Sequence, residues 1–214
     1  MIGILLVLAG PATGVTGVAA DPSSPKESAR NLFAAISSGD REGIEGLLFA
    51  ENDGQRELVG AMAGFIVAGK GLGDAARERF GAAGDPIGRG MLDPAALSKI
   101  DQATVKVTGD AATLDIPGQT RPMSFRRQDG AWRLVVTDFG GAAPENLPRQ
   151  IALVRLLTEA VESAAAEIQA GKFKTADAAA MAVQQRLSAA MMKSYRPATT
   201  RAATRPSPNG NAGR

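Results

Sequence analysis

Cysteine and histidine are both absent from the 214 residues. Without cysteine there is neither a disulfide nor a thiolate metal site, and no cysteine follows the N-terminal apolar run to carry a lipid anchor. Without histidine the chain lacks the commonest general base near neutral pH and the commonest metal ligand. Tyrosine and tryptophan occur once each, as Tyr195 and Trp132. The chain is therefore poor in the groups that most catalysis uses, and no cofactor or metal is expected.

Charge is missing from residues 1–20. Ile2 to Leu8 form a dense apolar run, broken by Gly10, Pro11 and Gly14, and Val18-Ala19-Ala20 sets small side chains before Asp21. This pattern predicts a cleavable secretory signal with cleavage before Asp21. No basic residue precedes the run, which suggests a start upstream of Met1. A spanning anchor needs about 20 consecutive apolar residues, and Pro11, Gly14 and Gly17 dilute this stretch. The expected location is periplasmic or extracellular, without stable membrane insertion after cleavage.

The chain has 24 Lys and Arg against 22 Asp and Glu. Residues 196–214 hold four of the Arg and no acid, which leaves 20 against 22 in the body. The basic character belongs to the tail, so a nucleic-acid partner is not expected. The tail has almost no large apolar group and reads as disordered.

Ser24-Pro25-Lys26-Glu27 has the spacing of a capping box with proline at the first helical position. A helix should follow, with Leu32, Phe33 and Ile36 on one side, and end at Gly39. Asp40 caps a second helix carrying Ile44, Leu47 and Leu48. A third is predicted from about Gly54 to Ala68, and a short fourth from Asp74 to near Phe80. Residues 81–100 are rich in glycine and proline and read as mostly irregular, apart from a turn of helix after Pro94.

The period then becomes two. Ala103 to Thr108 and Ala111 to Ile116 flank Gly109-Asp110, and a second hairpin closes through Asp129-Gly130. The first hairpin sets Val107 opposite Ala112 and Val105 opposite Leu114. The second sets Arg127 opposite Trp132, Phe125 opposite Leu134 and Met123 opposite Val136. The remaining positions (Thr104, Lys106, Thr108, Thr113, Asp115; Ser124, Arg126, Arg133, Val135) form mainly polar faces. One apolar and one polar face per hairpin imply an antiparallel sheet of about four strands with helices on one side, an α+β fold. Leu147, Ile151, Val154, Leu157, Val161, Ala165 and Ile168 then mark a long helix. Gly171 interrupts it, and Ala176 to Tyr195 form another, with Val183, Leu187, Met191 and Tyr195 in line. Together they predict a C-terminal helical hairpin.

Some stretches imitate ligand motifs. Gly64 to Gly71 matches a phosphate-binding loop up to its last position, where Gly71 lacks the required hydroxyl, and helix precedes it in place of a strand. Gly71 to Ala76 matches G-x-G-x-x-A, again without a strand. Helix termination by Gly69 and Gly71 is the better account of the first, and the second is not expected to bind a dinucleotide. Glu51-Asn52-Asp53-Gly54 lacks the later carboxylates of a calcium loop and reads as a helix cap.

Residues 28–48, SARNLFAAISSGDREGIEGLL, resemble the opening helices of nuclear transport factor 2-like (cystatin-like) domains. Residues 122–136, PMSFRRQDGAWRLVV, resemble the closing hairpin of that superfamily. The resemblance implies a domain over residues 21–143, followed by the helical hairpin over 144–195 and the tail. It implies a pocket between sheet and helices, used in some members for isomerase, dehydratase or cyclase chemistry and in others for binding alone. The catalytic members use Asp, His or Tyr there. In this chain Asp115 and Asp138 are the acids nearest the sheet. Asp115 is expected to be solvated opposite Thr104, and Asp138 stands at a strand end. Trp132 invites ligand stacking, but core packing is the stronger reading; Arg127 is placed to stack on its ring. Arg126 and Arg133 face one another on the outer side, where they either splay into water or meet an acidic partner. The expected function is an exported, non-catalytic binding or interaction module. Its partner would be a ligand or a protein, a second copy of the chain included. The alternative is an isomerase- or dehydratase-type enzyme.

Overall fold

The computed structural model describes residues 23–88, 96–119, 121–136 and 146–195. The expected signal segment (residues 1–20), the expected turn after Pro94, Asp138 and residues 196–214 lie outside the described residues.

Helix α1 (Pro25–Ser38) starts where the capping spacing placed it: the Glu27 N–H donates to Ser24 Oγ at 3.2 Å. The Glu27 carboxylate reaches one residue further back than a capping box would, accepting from Ser23 N and Ser23 Oγ. Gly39, at φ 74°, adopts the left-handed turn that ends the helix. Asp40 then accepts from Gly43 N at 2.9 Å and opens α2 (Arg41–Gly46). The helix is shorter than expected. Leu48 and Phe49 leave it to form strand β1.

Asn52 accepts from Gln55 N and caps α3, which runs unbroken from Asp53 to Phe80. The two helices expected over 54–80 are thus one, about 42 Å long. Glycine weakens an isolated helix, but here tertiary packing decides. Gly69 is buried, and Gly73 lets a following turn of chain come within backbone contact. That turn is a 3-10 segment (Gly81–Gly84) and the short helix α4 (Asp85–Gly88), which fold back along α3. Helix α5 (Ala96–Gln102) follows and is tied to α1: Arg30 Nη2 lies 2.6 Å from Asp101 Oδ1.

Strands β2 (Thr104–Thr108), β3 (Ala111–Asp115), β4 (Met123–Gln128) and β5 (Ala131–Val135) form the meander that the alternation predicts, with Val105 opposite Leu114 and Phe125 opposite Leu134. Asp129 and Gly130 both have positive φ, as a type I′ turn requires, whereas in the first turn Gly109 alone does. The sheet has five strands, not four, in the order β1-β5-β4-β3-β2. Strand β1 pairs parallel to β5, Leu48 with Leu134, so the sheet is mixed.

Helices α6 (Leu147–Gln169) and α7 (Ala176–Tyr195) pack antiparallel, with Arg186 beside Ser163 and Glu167. They are not an appendage, however. Helix α6 runs parallel to α3 along its length, from Leu147 beside Gly54 to Gly171 beside Arg79, and Arg155 Nη2 meets Glu57 Oε1 at 2.8 Å. Two cores result. The first joins α1, α2, the front half of α3, the start of α6 and the inner sheet face through Ile44, Leu58, Leu114, Phe125, Trp132 and Ile151. The second joins the back half of α3 to α6 and α7 through Leu72, Ala76, Val161, Ile168, Ala179 and Val183. Met191, expected in that line, is exposed; the buried position beside it is Ala190.

Candidate functional site

The inner face of the sheet is filled. Leu114 and Ile44 are fully enclosed, Phe125 and Trp132 nearly so, and Ser28 is the sole buried polar residue among the described residues. The catalytic arrangement implied by the family resemblance needs an acid in this space, and the described residues place none there.

The outer face is different. Strands β3 and β4 pair Ala111 with Arg126 and Thr113 with Ser124, which joins the polar faces of the two hairpins into one surface. Ala111 is small, so the surface sinks between Lys106 and Thr108 on β2 and Arg126 on β4. The hollow has a volume of about 420 Å³ and is lined by Lys106, Thr108, Thr113, Ser124, Arg126 and Val135, together with Ala111, Ala112 and Phe125. Hydroxyl donors thus stand between two cationic groups, with Val135 as an apolar patch.

Neither the Lys106 ammonium nor the Arg126 guanidinium has an ion pair or hydrogen bond among the described residues. Arg133 stands directly across from Arg126. Its Nη1 donates to Gln128 Oε1 at 3.2 Å, a neutral partner, and its buried Nε has none among the described residues. A buried donor without a partner costs about 1–3 kcal/mol. Three positive charges therefore share one face with no carboxylate in the lining.

Of the residues that the sequence singles out, Arg126 lines the hollow and Arg133 adjoins it. Asp115 lies opposite Thr104 near the far end of the same face, exposed and outside the lining. Trp132 is buried in the first core and is not a ligand surface. Arg127 turns to the hairpin tip, donating from Nε to Gly130 O at 3.3 Å. Asp138 lies outside the described residues. Lys106, Thr108, Thr113 and Ser124 were legible as polar-face positions, but only the β3–β4 pairing collects them into one site.

The motif imitations have structural roles. Gly64 to Gly71 lies within α3, where backbone N–H groups serve the helix, and Lys70 pairs with Asp74. Asn52 caps that helix and Asp53 pairs with Arg56.

No family model matches the chain, and neither a curated protein nor a solved structure does.

Proposed function

We propose that this chain is an exported, non-catalytic binding module whose ligand surface is the outer face of the sheet. One observation carries the reading: the face turned to the helices is packed shut with apolar side chains, while the opposite face holds a hollow with uncompensated charge. Binding sites are concave, with a few convergent polar groups on an apolar base, and the outer face has that composition. The sequence of residues 1–20 supports export. The lack of histidine and the solvent exposure of Asp115 support binding over catalysis.

The test is a fragment screen on ¹⁵N-labelled protein, read by amide chemical shifts. Binders should move the amides of Thr113, Ser124 and Arg126 together. Fragments that mapped instead to Ile44, Leu58 and Trp132, around the inner face, would reject the reading. So would turnover of any substrate that Asp138→Asn or Asp115→Asn abolished, and it would establish an enzyme in its place.

A further inference from the structure

We infer that the hollow on the outer face takes a soluble phosphorylated small molecule, its phosphate held between Lys106 and Arg126 with Arg133 supplying a third positive charge. The inference rests on the outer face being the ligand surface. Its independent support is charge complementarity.

Arg126 and Arg133 are Cα partners across β4 and β5, so their side chains leave neighbouring points of one face. Like charges directly opposite destabilise a sheet, and among the described residues no carboxylate pairs with them. Asp110, Asp115 and Asp129 are the nearest acids along the strands, and none makes an ion pair with them among the described residues. A carboxylate ligand would neutralise one of the three charges. A phosphate monoester brings nearly two charges and three acceptor oxygens, which suits guanidinium donors in their fixed fork. Thr113 and Ser124 stand paired between the cations, and their hydroxyls can donate to the remaining oxygens. The hollow of about 420 Å³ has room for the organic part of a small ester, for which Val135 offers the apolar contact.

The experiment titrates the ¹⁵N-labelled full chain with inorganic phosphate and with glycerol phosphate, against chloride at equal ionic strength. The amides of Thr113, Ser124 and Arg126 should move with both phosphates and stay in place with chloride. Arg126→Gln and Lys106→Gln should each weaken the response about tenfold, the scale of one lost charge-assisted hydrogen bond. Lys193→Gln, on α7, should leave it unchanged. Circular dichroism confirms that each variant is folded, and both substituted side chains are exposed.

Equal shifts with chloride, or an undiminished response in Arg126→Gln, would overturn the inference. Binding to phosphatidylglycerol vesicles without a response to soluble phosphate would also overturn it, assigning the face to a membrane surface. If uncharged fragments moved these amides and phosphate did not, the phosphate inference would fall while the outer-face reading stood. If nothing moved them, both would fall.

Discussion

A Cβ on Gly88 would stand 2.6 Å from the Cα of Gly73. The two backbones therefore touch where the 3-10 turn and α4 fold back along α3, and only glycine at position 88 permits it. Gly84 is tighter still, since its Cβ would meet Ala76 O at 2.1 Å. Gly71, in the same helix, has nothing within 4 Å and is exposed. Gly84→Ala should destabilise by about 1–3 kcal/mol through overpacking. Gly71→Ala should stabilise by about 0.5–1 kcal/mol, because an interior helical position loses less entropy with alanine. Urea midpoints of the two variants should move in opposite directions; movement in the same direction would refute this packing.

Trp132 is the sole tryptophan and is 5% exposed. Its emission should be blue-shifted and resistant to acrylamide until the chain unfolds. Its core neighbour Phe125, replaced by alanine, should cost about 3–5 kcal/mol. Emission at the wavelength of solvated indole in the native protein would show that the first core is open.

Glu167 accepts hydrogen bonds from Arg186, foremost, and from Lys172, and these hold its carboxyl below the ordinary value of 4.5. A lowered folded-state pKa contributes stability that is present above the unfolded value and lost as pH falls through the folded one. Glu167→Gln should lower Tm at pH 7, and the gap to wild type should close as pH drops below about 4.5. A gap independent of pH down to 3 would mean that the contacts act through packing and not through charge.

Arg126 faces Arg133 without a compensating acid in the lining of the hollow. Arg126→Thr, which puts a β-branched residue on a strand and removes a like-charge contact, should raise stability by about 0.2–1 kcal/mol at low salt. Added salt should shrink the gain. A destabilised variant would mean that Arg126 has a structural role in the free protein.

The parts legible in the sequence are those decided within a few residues. Ser24, Asp40 and Asn52 cap the first three helices because a side-chain oxygen needs only the N–H three residues on. Both hairpin registers follow from a two-residue turn and a period of two. What sequence reasoning missed depends on distant partners. The glycines of α3 suggest breaks until α6 and α4 are packed on them. Leu48 looks helical until β5 offers an edge. The two polar hairpin faces are separate stripes until Thr113 and Ser124 pair, and only then does a hollow exist.

The pairing of Leu48 with Leu134, like the seating of Gly54 beside Leu147, has a kinetic meaning. Each joins an early part of the chain to a late one, so the loop between them must close before the contact is rewarded. Relative contact order rises accordingly, and folding slows. The two hairpins can zip locally, but α3 lacks its most extensive neighbour until α6 is present. Completion of both cores therefore waits until α6 has been made, more than two thirds of the way along the chain.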